Sequence, residues 1–276
     1  MPLLDMEAEY NNRARVTDSP AIMARWAEAA ELARRELPGE RDISYGAKPR
    51  QVFDFYPAGV DQGAPLVVYI HGGYWQRGHG RDYAFVAREL LARGVSVAIP
   101  SYSLCPEVRI GDIADEIAIF LAGLWARTKV RPLLVGHSAG GQLAASLMAR
   151  GNIEGAPSDL ITAAYGISGV YDLRPLMGTS LNDALGLDDV AAKTASPMLG
   201  RMPSTIGTFI AAAGGNESSE FIRQANDFAK HWSAAGMAAE STIIPGANHF
   251  TIVDELTRPN SAMLNRIVAE AKAAAV

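Results

Sequence analysis

Apolar and polar positions alternate in two patterns along the chain. Short apolar runs predict strands, and they occur at 51–57, 65–73, 95–100, 132–138, 161–168, 207–215 and 240–246. Longer stretches, in which apolar residues return every three or four positions, predict helices at roughly 20–36, 81–93, 111–127, 139–150, 218–236 and 260–274. Because strands that alternate with helices form parallel sheets covered on both faces, we expect an α/β fold with a mostly parallel central sheet.

The segment 169–206 is the least regular part of the chain and contains Pro175, Pro197 and Pro203. We interpret it as a short excursion over the carboxyl ends of the strands, where ligands bind in such sheets. It is too small for a second domain, so a single domain over 1–276 is expected, with a short cap or none. We expect residues 1–40 to form a helical extension that packs near the same end.

Composition narrows the class of protein. The chain has 49% hydrophobic and 20% charged residues and a formal net charge of −5, so it lacks the basic surface of a nucleic-acid binder. No run approaches the roughly 18 apolar residues of a membrane span, and the N-terminal residues do not form a secretory signal. With one cysteine, Cys105, no internal disulfide is possible, which favours a cytoplasmic location. We expect a small-molecule substrate, no nucleic-acid or membrane partner, and either a monomer or a homodimer.

A serine between two glycines stands where a predicted strand meets a predicted helix. In VGHSAGG (135–141), Ser138 follows the apolar run and has Gly136 and Gly140 two residues away on either side. A nucleophile on a tight strand-to-helix turn needs small neighbours at these two positions. A structural turn or a nucleotide loop is the alternative. However, the spacing does not match Gly-x-Gly-x-x-Gly, and no Gly-Lys-Ser/Thr is present.

A nucleophilic serine also needs N–H groups that stabilise the oxyanion of its intermediate. The segment IHGGYWQ (70–76) ends an earlier predicted strand, as the oxyanion loop of esterases does. We therefore predict the N–H groups of Gly73, Tyr74 and Ala139 as donors, with Gly72 shaping the turn beside the substrate. We interpret His71 as a structural residue of this loop.

The general base and the acid are expected after Ser138 in the chain. His249 lies in a loop past the last predicted strand, whereas His231 lies within a predicted helix, so His249 is predicted as the base. Glu217, directly after the strand 207–215, is predicted as the acid that orients it. Asp172, after the preceding strand, is the alternative. The histidines are scattered and no Cys/His cluster predicts a metal site, so we expect neither a metal nor an organic cofactor.

Together these motifs resemble the kynurenine formamidases (arylformamidases) of the α/β-hydrolase superfamily. The likeness runs from about residue 50 to 255 and is carried by HGGYWQ (71–76), YSLCPEV (102–108), GHSAGGQLAA (136–145), GVYDLRP (169–175), GGNESSEFIRQANDFA (214–229) and NHF (248–250). The resemblance implies an α/β-hydrolase fold and a cytoplasmic enzyme of tryptophan breakdown that removes formate from N-formyl-L-kynurenine. It also implies Ser138, Glu217 and His249 as the triad, although the family often has Asp where Glu217 stands.

An aryl formamide would need an aromatic wall around its leaving group. Tyr74, Trp75, Tyr102 and Phe250 are near predicted strand ends and are the candidates for this wall, with core packing as the alternative. Trp26 could cover the cleft from the N-terminal helix or pack in the core. Two other functions stay open at this point: a carboxylesterase that acts on short-chain esters, and a non-catalytic binding protein with the same fold.

Overall fold

One sheet of eight strands organises the part of the chain that the structure, a computed structural model, describes: residues 4–59, 63–203 and 207–275. The predicted single domain spans 1–276, so residues 1–3, 60–62, 204–206 and 276 of it lie outside the described residues. The strands are β1 (Glu40–Ser44), β2 (Val52–Tyr56), β3 (Leu66–Ile70), β4 (Ser96–Pro100), β5 (Pro132–His137), β6 (Ala163–Ile167), β7 (Thr208–Gly214) and β8 (Ala238–Ile244).

The sheet order is β1-β2-β4-β3-β5-β6-β7-β8. β2 pairs antiparallel with β1 and with β4, and the six strands from β4 to β8 along the sheet are parallel. The mostly parallel sheet is therefore confirmed. β1 was not predicted, because its sequence ERDIS carries a single large apolar residue, Ile43, and the strand lies at the exposed edge of the sheet.

Helices cover both faces of the sheet, as predicted. They are α1 (Met6–Tyr10), α2 (Asn12–Arg15), α3 (Ser19–Glu36), α4 (Ala87–Ala92), α5 (Ile110–Thr128), α6 (Ala139–Arg150), α7 (Asn182–Leu185), α8 (Asp189–Thr194), α9 (Ser219–Ala234) and α10 (Ala262–Ala274). Tighter 3₁₀ segments span Gly80–Val86, Arg174–Gly178 and Thr251–Thr257. The helix predicted at 81–93 is thus split, since its first half is a 3₁₀ segment that packs against α3. No helix of the described residues is long and apolar enough to cross a membrane.

The buried apolar side chains form two clusters, one on each face of the sheet. In β3, Leu66, Val68 and Ile70 belong to the cluster under α5, α6 and α9. Val67 and Tyr69 point the other way, into the cluster under α3, α4 and α10. Burial on both faces explains why this strand reads as a continuous apolar run rather than as an alternating one. Between the two clusters, the parallel strands β5, β6, β7 and β8 end at the same edge of the sheet.

Candidate active site

The turn between β5 and α6 holds Ser138 in a conformation that non-glycine residues rarely adopt, with φ +55° and ψ −117°. Such a backbone costs about 1–3 kcal/mol and persists where the surrounding structure enforces it. Close approach of the backbone explains the two glycines. A Cβ atom at Gly136 would lie 2.0 Å from the carbonyl oxygen of Gly140, and one at Gly140 would lie 2.0 Å from that of Ile70. The turn therefore requires glycine on both sides of the serine.

Ser138, His249 and Glu217 form a continuous chain of hydrogen bonds. The Ser138 hydroxyl lies 3.1 Å from Nε2 of His249, and Nδ1 of the same ring lies 2.7 Å from Oε2 of Glu217. A carboxylate only accepts hydrogen bonds, so Nδ1 carries the proton and Nε2 is free to accept from the serine. The three residues are 2%, 4% and 6% exposed. The structure thus brings together the three residues that the sequence predicts as nucleophile, base and acid.

Glu217 is held by two further donors. Its Oε1 accepts from the Ser168 hydroxyl at 2.5 Å and from the N–H of Gly214 at 2.6 Å, which leaves Oε2 for His249. Ser168 is fully buried and has φ +52°. Ser168 was not predicted as a site residue from the sequence. Its place at the end of the predicted strand 161–168, on the same sheet edge as Glu217, is the signal that could have identified it.

Asp172, the alternative acid, is engaged elsewhere. Its carboxylate accepts from the Arg174 guanidinium, with Oδ2 at 2.7 Å from Nη2, and from the Arg174 backbone N–H. Burial opposes the change, but these hydrogen bonds lower the pKa of Asp172 overall. No hydrogen bond joins it to His249 within the described residues. His231 lies on the exposed side of α9, away from this chain of hydrogen bonds.

The loop after β3 lies directly against the serine. A Cβ atom at Gly72 would come within 2.9 Å of the Ser138 Cβ, so the two backbones need a glycine between them. Gly73 has φ +115° and Tyr74 has φ +52°. Among the hydrogen bonds of the described residues, none uses the N–H of Gly73, Tyr74 or Ala139. Ala139 is the first residue of α6, where the free N–H groups favour negative charge.

Two residues predicted to line the substrate pocket instead support this loop from below. Trp75 and Tyr102 are fully buried and do not reach the cavity in front of Ser138. The Tyr102 hydroxyl donates to the carbonyl oxygen of His71 at 2.7 Å, and its ring stacks on the imidazole at 4.2 Å. Trp75 Nε1 donates to Gln142 at 3.1 Å. Burial lowers the pKa of His71 to about 3, so this histidine stays neutral and structural.

His137, also missed, faces the loop that carries the base. Its Nε2 lies 2.8 Å from the carbonyl oxygen of His249, which accepts the hydrogen bond. Burial and the neighbouring His249 lower the pKa of His137 to about 3. A neutral ring with the proton on Nε2 is therefore built in beside the base.

A cavity of about 640 Å³ opens in front of Ser138 and His249. Phe250 lines it as predicted, and so does Tyr74. For Trp26 the sequence left two alternatives open, covering the cleft or packing in the core, and the residue combines the two. It is buried and donates from Nε1 to Asp254 at 2.8 Å, and its ring forms part of the cavity wall, 6.2 Å from that of Phe250.

The short helices α1 and α2 close the cavity on the side of the chain's N-terminal segment. The Tyr74 hydroxyl donates to the carbonyl oxygen of Tyr10 at 2.6 Å, and the Tyr10 hydroxyl donates to Glu220 at 2.8 Å. Glu7 accepts from the N–H and hydroxyl groups of Ser180. Helices of four or five residues carry no detectable periodicity, so the sequence placed the extension only in outline.

Metal ligands are not grouped in the described part of the chain. No three His, Cys, Asp or Glu side chains there lie close enough to hold a metal ion. The arrangement at Ser138 can activate a hydroxyl for attack on a carbonyl carbon and can stabilise the resulting oxyanion with N–H groups.

Comparison with known proteins places this site in a familiar setting. The family described as having the alpha/beta hydrolase fold matches residues 67–253. A kynurenine formamidase from Drosophila melanogaster is 30% identical over an alignment that covers 91% of this chain and 92% of that protein. A crystal structure of a candidate thioesterase from Silicibacter sp. superposes with a TM-score of 0.87 at 31% identity, covering 98% of this chain and all of that one.

An inhibited esterase B from Lactobacillus rhamnosis is more distant. It superposes with a TM-score of 0.70 at 21% identity, covering 94% of this chain and 97% of that chain. At this identity the likeness concerns the fold alone.

Proposed function

The chain belongs to the α/β-hydrolase family, as a member similar to the kynurenine formamidases, and from this premise we propose that it is an arylformamidase that releases formate from N-formyl-L-kynurenine. The observation that carries the proposal is the buried hydrogen-bonded chain from Ser138 through His249 to Glu217. It stands beside three N–H groups, and the aromatic cavity is large enough for an aryl substrate.

In the first half of the reaction, the Ser138 oxygen attacks the formyl carbon while His249 Nε2 takes the hydroxyl proton. The carbonyl oxygen becomes negative and accepts hydrogen bonds from the N–H groups of Gly73, Tyr74 and Ala139. Loss of one such donor typically costs about 10²–10³ in rate. The C–N bond then breaks, and the imidazolium gives its proton to the leaving aryl amine.

In the second half, a water molecule takes the place of the amine. His249 removes a proton from this water, which attacks the formyl-enzyme, and the C–O bond to Ser138 breaks. Formate leaves and the serine recovers its proton from His249. Glu217 holds the imidazole in one tautomer and stabilises its positive charge in both halves. No step of this sequence calls for a metal or an organic cofactor.

The cavity suits a small acyl group and a large aromatic leaving group. Gly73 lines the cavity beside Ser138, and Gly72 packs directly against the serine. The aromatic rings of Trp26, Tyr83 and Phe250 line the cavity on the other side. Trp26 and Tyr83 have ring centroids 6.0 Å apart, so they form one continuous apolar wall for an aryl ring.

Hydrolysis of carboxylic esters is the second candidate function. The same serine, histidine and oxyanion donors would act on an ester, because its carbonyl carbon is more reactive than that of a formamide. The Silicibacter protein, a candidate thioesterase at 31% identity, favours keeping this candidate. The carbonyl group of a thioester presents the same trigonal geometry to a nucleophile as that of an ester.

The two candidates are separated by comparing kcat/KM on N-formyl-L-kynurenine, followed by formate release, with kcat/KM on short 4-nitrophenyl esters. We expect the formamide to be the better substrate. We also expect Ser138→Ala to lower kcat on both by at least about 10⁴-fold. A preference for the esters by several orders of magnitude would overturn the formamidase proposal and leave the esterase.

We propose further that the enzyme acts in the cytoplasm on a small molecule, without a nucleic-acid or membrane partner. The single cysteine supports a reducing compartment. A homodimer stays a prediction that sedimentation of the purified protein would test.

A further inference from the structure

Two arginines line the cavity that contains Ser138. Arg77 directly follows the segment 70–76, which we call the oxyanion loop. Arg13 lies on α2, which together with α1 forms the N-terminal cover of the cavity. The positive charges are close enough to influence each other, since burial lowers the pKa of Arg77 and the Arg13 guanidinium lowers it further. Both stay charged in a protein at any ordinary pH. The fold therefore holds two like charges at the rim of one cavity.

Neither guanidinium is neutralised by a carboxylate within the described residues. Arg13 makes a single contact, at 3.6 Å, to the thioether sulfur of Met23, and no ion pair includes Arg77. Other arginines close to the site do have such partners, Arg15 with Glu9 and Arg174 with Asp172.

Two acidic side chains also line the cavity, and neither serves these arginines. Glu7 accepts both the N–H and the hydroxyl of Ser180. Asp82 has its pKa raised by burial, and the guanidinium groups that act against this rise are those of Arg81, Arg50 and Arg34. Arg13 and Arg77, two exposed residues that line the cavity, are therefore left without a carboxylate partner among the described residues.

We propose that Arg13 and Arg77 form a carboxylate subsite, so that the enzyme selects aryl substrates whose leaving group carries a carboxylate. The inference deepens the proposed function and rests on it for the identity of the scissile bond. Planar guanidinium groups match a carboxylate better than any other cation in proteins. The substrate would lie with its acyl group at Ser138, its ring against Trp26, Tyr83 and Phe250, and its carboxylate at the rim.

The arrangement also explains why the N-terminal cover belongs to the site. Arg13 comes from α2, and hydrogen bonds from Asn12 to the Tyr74 hydroxyl and from that hydroxyl to Tyr10 tie this segment to the oxyanion loop. One of the two cations is thus supplied by the cover and the other by the loop that holds the oxyanion donors. A carboxylate bound between them would link recognition of the leaving group to the position of the loop.

The test uses two substrate pairs that differ only in charge at the far end. The first pair is N-formyl-L-kynurenine and its α-carboxamide, and the second is 3-acetoxybenzoate and 3-acetoxybenzamide. For each pair, the ratio of kcat/KM for the carboxylate to that for the carboxamide is measured in wild type and in Arg77→Gln, Arg13→Gln and the double variant. Arg81→Gln is the matched control, since Arg81 is close in sequence and absent from the described lining of the cavity.

We expect each single substitution to lower the ratio by about tenfold, mainly through KM for the carboxylate substrate, and the double variant to lower it further. Arg77→Lys should recover part of the loss and Arg81→Gln should keep the wild-type ratio. Each variant is compared by ratio, so partial misfolding, which lowers both activities together, does not imitate the effect.

The inference is wrong if the ratio in the double variant equals that of wild type, or if Arg81→Gln lowers it as much. The ester pair keeps this outcome separate from the proposed function. In one outcome, the wild-type enzyme hydrolyses neither formamide and yet prefers 3-acetoxybenzoate to 3-acetoxybenzamide, with a preference that is lost in the double variant. That result would overturn the formamidase proposal and support the carboxylate subsite.

Discussion

Replacing Glu217 by glutamine exchanges one carboxylate oxygen for an NH₂ group and tests directly whether Glu217 acts as the acid. Two donors, the Ser168 hydroxyl and the Gly214 N–H, converge on the Oε1 position. The amide oxygen of the glutamine must take the Oε1 position. An NH₂ group there would be a donor facing two other donors. The amide NH₂ is then directed at Nδ1 of His249, 2.7 Å away in the wild-type protein.

The magnitude follows from this reversal of hydrogen-bond direction. Nδ1 must accept from the amide, so the single proton of the neutral ring moves to Nε2. A protonated Nε2 cannot take the proton of the Ser138 hydroxyl. A base held in the wrong tautomer by this kind of substitution loses about 10⁴ in kcat in a serine protease, which corresponds to about 5 kcal/mol of barrier. We expect a loss of the same order here, with little change in KM.

The assay is steady-state hydrolysis of N-formyl-L-kynurenine, with thermal unfolding measured on the same preparations. Asp172→Asn is the matched control, because it removes the charge of the alternative acid and keeps an amide oxygen that can accept from Arg174. Its kcat should stay close to that of wild type. A Glu217→Gln enzyme with more than a tenth of wild-type kcat, or an Asp172→Asn enzyme that loses about 10⁴ in kcat, would contradict the role of Glu217 as the acid.

Three further predictions follow from the packing around the site. Gly140→Ala should abolish activity and lower the melting temperature, because the new Cβ would lie 2.0 Å from the carbonyl oxygen of Ile70. Gly123→Ala is the control, since it lies at an exposed helical position with open space, and it should stabilise the protein by about 0.5–1 kcal/mol. Ser168→Ala removes a hydrogen bond to a buried carboxylate and should cost about 1.5–3 kcal/mol of stability and about tenfold in kcat; unchanged kcat would show that the acid is held without it. Burial lowers the pKa of His71 and His137 to about 3, so below about pH 6.5 the unfolded chain binds more protons than the folded one. The free energy of unfolding should therefore fall by about 1 kcal/mol for each histidine with every unit by which the pH is lowered. Urea unfolding between about pH 6.5 and pH 5 measures this slope, and a flat profile would contradict it.

Local pattern carried the prediction of the sheet and of the Ser138 turn. A strand buried on both faces must be apolar throughout, and a turn whose backbones meet must have glycine, so both signals are written in consecutive residues. Chain order limited the base to His249 or His231. The bounds of α6 agree with the prediction at both ends, whereas β1 escaped notice because an exposed edge strand needs few apolar residues.

The direction in which the aromatic side chains of the loops point could not be predicted in the same way. Trp75 and Tyr74 are neighbours in the chain, and both have positive φ. Yet one is buried against α6 and the other faces the cavity. Loop residues have no period that relates position to burial, so the pocket wall predicted from them was partly wrong. Tyr102 likewise serves the loop beneath the site.

Three features could be read from the amino-acid sequence alone: the alternation of strands and helices, the turn that carries Ser138, and the two glycines that this turn requires. These features depend on contacts within a few residues, where spacing encodes geometry. Three features depend on tertiary packing: Ser168 donates to Glu217, α1 and α2 line the cavity, and Arg13 and Arg77 line the same cavity. Ser168 and Glu217 are 49 positions apart in the chain, and Tyr10 of α1 is 210 positions from its partner Glu220. Their meeting depends on how the two apolar faces of the sheet are packed, which no local pattern records.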